Sequence, residues 1–137
     1  MKVVLETNVL ISGLLVPGGL PGRIIDLWTD GAIEVALSSE LLQEYLSVLA
    51  RPRFDSIASP SERRRIVEGL LSLTNTGVVV PRVRVEAVKE DPTDNAVLSC
   101  AIEAGADFVI SGDQHLLRLK GHLGIPIVSP AAFLQRS

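Results

Sequence analysis

Two carboxylates stand at strand ends, a third in the first turn of a helix and a fourth in the middle of another. Glu6 follows the apolar run "VVL", Glu44 lies inside "SELLQEYLSVL", Asp94 falls in "DPTDNAVL", and Asp113 comes two residues after "DFVIS". A group of like charges is stable only if something positive shares the site, and hard oxygen ligands suit Mg²⁺ or Mn²⁺. A divalent cation held by such acids activates water and stabilises the leaving oxygen in phosphodiester hydrolysis. Spread over so much sequence, the four acids can meet only if the fold brings strand ends and helix faces together.

Each acid also has a structural explanation. Asp91 can cap a helix that has Pro92 at its first position, and Asp94 then complements the helix dipole. Asp113 can cap "QHLLRL" in the same way. Glu44, four residues after Glu40, is most simply a solvated helix residue. Glu6 is harder to explain so, because a charge ending a buried strand needs a partner, hydrogen bonds or a metal. Capping of the next helix would more naturally fall to Thr7 or Asn8.

The elements that must position these residues alternate. "KVVL", "IEVALS", "GVVV", "DFVIS" and "IPIVS" read as strands. Between them, "NVLISGLL", "RIIDLWTDG", "SELLQEYLSVLARP", "SPSERRRIVEGLLSLTN", "DPTDNAVLSCAIEAG" and "DQHLLRL" read as helices, with a last helical turn or two from Pro130. In "SELLQEYLSVLARP" Leu41, Leu42, Tyr45, Val48 and Leu49 form one apolar stripe. Continuous rather than alternating apolar strands imply a parallel sheet covered on both faces, so the fold class is α/β. Ligands of such sheets bind beyond the carboxyl ends of the strands, where Glu6 and Asp113 stand.

With 137 residues, 47% hydrophobic and 21% charged, the chain is expected to form one domain over residues 1–137 without disulfides or a structural metal. No stretch approaches the roughly 18 apolar residues of a membrane span, and the expected setting is the cytoplasm. Cys100 is the single cysteine and reads as a buried packing residue. The net charge of −3 argues against broad DNA binding, yet ten of the thirteen basic residues are Arg, the side chain suited to forked phosphate contacts. Arg51 and Arg53 could meet phosphates or be plain surface charge, whereas "SERRRIVEG" reads as a solvated helix face, since Arg63, Arg64 and Arg65 point in successive directions. "PGGLPG" lacks the Gly-Lys-Ser/Thr ending of a phosphate loop and reads as a connection. His115 is open to a general-base role or to plain solvent exposure. Trp28 and Tyr45 fit apolar stripes of the core or of a dimer interface. With aromatics at 4%, RNA recognition would rest on phosphates and shape more than on stacking.

Taken together and in order, "VVLETNVLISGLL", "LSSELLQEYLSVL", "DPTDNAVLSCAIEAGADFVISGDQHLL" and "IPIVSPAAFL" resemble the PIN-domain family of small metal-dependent ribonucleases, which includes VapC-like toxins of toxin-antitoxin pairs. The resemblance runs from Lys2 to about Leu134. It implies a three-layer α/β/α sandwich with a central parallel sheet, and an Mg²⁺- or Mn²⁺-dependent endoribonuclease. Glu6, Glu44, Asp94 and Asp113 fall where the family has its acidic metal cluster, with Asn8, Asn95 and Ser111 as polar helpers. A homodimer, an RNA substrate and a cognate antitoxin are further implications. Glu6 departs from the family's Asp: "LETN" stands where "LDTN" is expected. An extra methylene exceeds the roughly half-ångström tolerance of a catalytic ligand. Three outcomes are open: the backbone adjusts and activity survives, the metal shifts and activity falls, or the chain is an RNA- or protein-binding module. A metal-dependent phosphatase of another α/β family also begins on a strand ending in an acid, but its mechanism wants an Asp nucleophile there.

Overall fold

The computed structural model describes residues 1–16, 18–82, 85, 92–119, 121–122 and 124–136. In chain order the elements are β1 (Lys2–Leu5), α1 (Thr7–Leu15), α2 (Leu20–Thr29), β2 (Glu34–Ser38), α3 (Ser39–Leu49), a 3-10 turn (Pro52–Phe54), α4 (Pro60–Leu71), β3 (Thr76–Val79), α5 (Pro92–Ala104), β4 (Phe108–Ile110), α6 (Gln114–Leu119), β5 (Gly121–His122), β6 (Ile125–Val128) and α7 (Pro130–Gln135). The strands form one sheet in the order β3-β2-β1-β4-β6-β5. The first five in that order run parallel, and β5 pairs antiparallel with β6 at the edge. Helices flank the sheet, giving the expected α/β/α sandwich.

Burial explains the apolar runs. Val3, Val4 and Leu5 of β1 and Val109 and Ile110 of β4 are fully buried, as central parallel strands covered on both faces must be. Each such side chain contributes roughly 1.5–3 kcal/mol of hydrophobic stabilisation. β3 lies at the sheet edge, with Gly77 and Val78 exposed. Trp28 and Tyr45 belong to the core. The Trp28 indole N–H donates to Thr76 Oγ1 at 2.8 Å, and the Thr76 hydroxyl donates to the Leu70 carbonyl at 2.6 Å, tying α2 to the start of β3.

Some boundaries differ from expectation. α2 starts at Leu20, so half of "PGGLPG" is helix rather than connection, with Pro21 in the first turn and Gly19 as N-cap. The close crossing of α1 and α2 depends on Gly13, where a Cβ would stand 2.5 Å from Ile25 Cγ1 and 2.8 Å from the Pro21 carbonyl oxygen. α4 opens on the expected Ser-Pro-Glu sequence, a full capping box between Ser59 and Glu62, but stops at Leu71 instead of reaching Asn75. The Asn75 amide is spent on the Trp28 and Ile33 carbonyls, at 2.8 and 2.7 Å. The edge strand β5 carries no apolar run, and periodicity does not reveal it.

A second apolar cluster, Ile11, Leu15, Val48, Leu49 and Val67, joins α1, α3 and α4 away from the sheet. Beside it, a cleft of about 210 Å³ opens between α3 and α4, bordered by Leu46, Ala50, Arg64 and Leu71. No single helix among the described residues is long and apolar enough to cross a membrane.

Candidate active site

β1 and β4 are neighbours at the centre of the sheet, and successive strands are laid down on opposite sides of them: β2 and β3 beyond β1, β6 and β5 beyond β4. That is the topological switch point of an open parallel sheet, where the crevice outside the carboxyl ends is left uncovered. Leu5 is in register with Ile110, and Ile110 with Val128. The ladder continues one residue further, the Glu6 N–H donating to the Ile110 carbonyl and the Ser111 N–H to the Val128 carbonyl, both at 2.9 Å. Glu6 and Ser111 therefore stand side by side at the mouth of the crevice.

Each of four parallel strands leaves the sheet through a side chain that caps the next stretch of chain. Glu6 Oε2 accepts the Asn8 N–H at 3.0 Å, and Ser38 Oγ accepts the Leu41 N–H at 3.2 Å. Ser111 Oγ accepts the Asp113 N–H at 2.9 Å, and Ser129 Oγ accepts the Ala132 N–H at 3.1 Å. Glu6 is thus itself the N-cap of α1, contrary to the expectation that Thr7 or Asn8 would cap. The capping residue is 5% exposed.

Thr7, expected only as a possible cap, occupies the first helical position. It is 3% exposed, and its hydroxyl makes no hydrogen bond. A buried hydroxyl in that condition signals an ordered water or an ion at the site. Nothing in "ETN" separates it from an ordinary capping threonine. Asn8 is exposed.

Asp94 is reached from the opposite end of α5. Gly105, at φ +62°, closes that helix, with the Ala106 N–H returning to the Ala101 carbonyl at 3.0 Å. The Lys2 ammonium donates to the Ala104 carbonyl at 3.2 Å, and the Asp107 N–H to the Lys2 carbonyl at 2.7 Å. The carboxyl end of α5 is therefore fixed at the start of β1. Asp94 lies ten residues back, about 15 Å along the axis, and is 3% exposed. Asn95 beside it is half-buried. The cap assigned to Asp91 lies outside the described residues.

Glu44, half-buried on α3, precedes Tyr45, whose phenol donates to the Leu5 carbonyl at 2.6 Å. That bond presses the middle of α3 against the end of β1. Burial first, then the Cys100 sulfur and the Glu6 carboxylate, hold the Tyr45 phenol well above its usual range. Cys100 is fully buried, as expected, and burial pushes its thiol up to about 12 against a smaller opposing effect from the Ser38 hydroxyl. Asp113 is half-buried and caps α6, its Oδ1 accepting the His115 N–H at 2.7 Å. Both readings of that acid remain compatible, since a cap uses one oxygen. His115 is exposed.

Glu6 thus stands directly after β1, and Glu44 precedes the tyrosine bonded to the last residue of that strand. Among the described residues no group of three or more Asp, Glu, His or Cys side chains is placed to hold a metal ion. A hydrated dication needs fewer, because Mg²⁺ keeps several waters and binds through one or two carboxylates.

The arginines divide differently from the expected solvated face. Arg63 is 2% exposed. Its guanidinium pairs with Asp55 and donates to the Arg51 carbonyl at 3.1 Å and the Ser59 carbonyl at 3.4 Å, clamping the link between α3 and α4. Arg51, Arg53, Arg64 and Arg65 are exposed, and Arg53 stacks 4.7 Å over the Phe54 ring.

The chain is 29% identical over 145 residues to an uncharacterized protein of Methanocaldococcus jannaschii, covering 98% of this chain and 90% of that protein. Its fold is similar to a chain of VapBC2 from Rickettsia felis bound to a promoter DNA fragment, with TM-score 0.63 and 14% identity over 94% of this chain and 98% of that one. It is also similar to a chain of DNA-bound VapBC from Salmonella typhimurium, with TM-score 0.60 and 19% identity over 95% and 98%. At those identities the likeness is one of fold. The family model for the PIN domain matches residues 2–115, and the chain belongs to the PIN-domain family.

Proposed function

We propose that this protein is a Mg²⁺- or Mn²⁺-dependent endoribonuclease, the toxin of a toxin-antitoxin pair. The observation that carries the reading is the match of residues 2–115 to the PIN-domain family model, together with a buried Glu6 directly after β1, beside β4, and a buried Asp94. Carboxylate oxygens are the hard ligands that suit Mg²⁺ or Mn²⁺, and a dication held by them would also do chemistry. Bound there, the cation would polarise the phosphodiester and lower the pKa of an attacking water. Glu6 and Asp94 would hold it, since burial fixes their position. Glu44 and Asp113, half-buried, would orient the water and take its proton. Asn8, Asn95 and Ser111 support them, Ser111 by fixing the Asp113 backbone.

An RNA substrate, a homodimer, a cognate antitoxin and a cytoplasmic setting go with this reading. Membership of the PIN-domain family supports the nuclease activity, and the likeness to VapBC assemblies supports a protein partner.

A second reading has its own observation. The Glu6 carboxylate is drawn onto the Asn8 N–H, which favours a PIN domain weakened in catalysis that binds RNA or protein. Cleavage of a mixed RNA pool with Mn²⁺ or Mg²⁺, comparing this chain with Glu6→Asp and Asp113→Asn, separates the two. Metal-dependent cleavage by this chain, lost in Asp113→Asn, supports the nuclease. Cleavage by Glu6→Asp alone supports the binding module, and cleavage by all three alike removes the acidic site from both.

A further inference from the structure

The charge of the molecule is unevenly distributed. Residues 51–65 contain five arginines against Asp55 and Glu62, a net of +3, so the rest of a chain of net −3 carries −6. Within that segment Arg63 and Asp55 neutralise each other. Glu62 is engaged in the capping box of α4. Four exposed arginines, Arg51, Arg53, Arg64 and Arg65, are left in this segment. Arg64 borders the α3–α4 cleft with Leu46 and Ala50, the residue before Arg51, and shares a second hollow with Arg65, Pro60 and Ser61. Glu68 is the one carboxylate among those lining residues.

We propose that this corner, through Arg51, Arg53, Arg64 and Arg65, binds the phosphate backbone of single-stranded RNA and leads it to the acidic crevice. The inference rests on the nuclease reading and adds the path by which the polyanion reaches four carboxylates that repel it. Guanidinium forks match phosphate oxygens, and four of them give a weak, salt-sensitive grip rather than a duplex-tracking surface. Arg53 lies flat on Phe54, a platform of the kind that accepts a base or keeps an arginine extended. Arg51 follows Glu44 by seven residues, about 10 Å of helix, so a short length of strand joins corner to crevice. The buried Arg63 makes the arrangement rigid by holding the Arg51 and Ser59 carbonyls on one side chain.

The test is fluorescence anisotropy of a short labelled single-stranded RNA, at increasing KCl and with Mg²⁺, on Asp113→Asn protein so that the probe stays intact. Four phosphate contacts predict a slope of log affinity against log salt of about −3, shallower by about 0.7 for each contact removed. Arg51→Gln, Arg64→Gln and Arg65→Gln are each expected to weaken binding severalfold for any RNA sequence and to flatten the slope. Arg82→Gln, at a guanidinium already paired with Glu103, leaves both unchanged. Equal affinity and slope in all variants overturns the proposal, as does a loss confined to an equally long DNA duplex or to an acidic peptide. Patch-dependent RNA binding without cleavage by the unmodified chain would sink the nuclease reading and leave the corner standing; cleavage with patch-independent binding would do the reverse.

Discussion

The acidic crevice and the arginine corner both place charge against a buried framework, but by opposite means. At the crevice the backbone sets the frame: strands in register end at one level, Glu6 and Ser111 follow them directly, and the other acids come from α3, α5 and the start of α6. At the corner they are delivered by a side chain, because Arg63 gathers Asp55, the Arg51 carbonyl and the Ser59 carbonyl from three different segments. A site made by strand ends can change its residues at little cost to the fold. A corner made by one buried cation cannot, since removing that cation strips donors from all its acceptors at once.

The largest effect expected from that contrast is at the crevice. Asp94→Asn should lower RNA cleavage by about a hundredfold or more, the scale for losing one group that stabilises developing charge, while the urea midpoint moves little. A large fall in stability would mean that Asp94 is a structural cap and that the contrast is false. Next in size, Arg63→Met should cost about 2 kcal/mol by urea denaturation, more than Asp55→Ala, because the two carbonyl acceptors lose their donor as well. Equal losses would reduce the clamp to a single ion pair.

Thr7→Val should leave the metal-free protein as stable or raise its stability by about 1 kcal/mol, since the hydroxyl it removes is buried without a partner. The same change should weaken stabilisation by Mn²⁺ in a thermal-shift assay. Loss of stability without metal would show that the hydroxyl already has a structural role. The smallest effect concerns Cys100. Its folded pKa is raised, so its contribution to stability is fully present below the ordinary thiol value of 9.0 and is lost as pH climbs toward about 12. Tyr45 acts in the same direction, and a urea midpoint that falls above pH 9 in the parent but less in Cys100→Ala would bear this out.

Much of this arrangement could be read in the linear chain. Apolar runs ending in Glu6 and in "SGD" announced the central strands and the crevice, because central parallel strands must be apolar on both faces. "DPTD" announced the start of α5. Other features depend on tertiary partners. Arg63 looks like its neighbours Arg64 and Arg65, and only Asp55 and the two carbonyls, folded back over it, set it apart. Glu6 as its own cap escapes propensity rules, which favour shorter side chains at that place. The start of α2 at Leu20 was masked by glycines that mark a turn equally well, and β5 is too short and polar to have a pattern.

The row of strand exits also bears on how such a site changes over time. Each exit residue caps its own following segment and is aligned by backbone bonds that no side chain supplies, so the four positions are mutationally independent of one another. Replacing the acid after β1 by a longer one leaves Ser38, Ser111 and Ser129 with their hydrogen bonds intact. The fold can therefore accept either acid at position 6 without disturbing the other three exits.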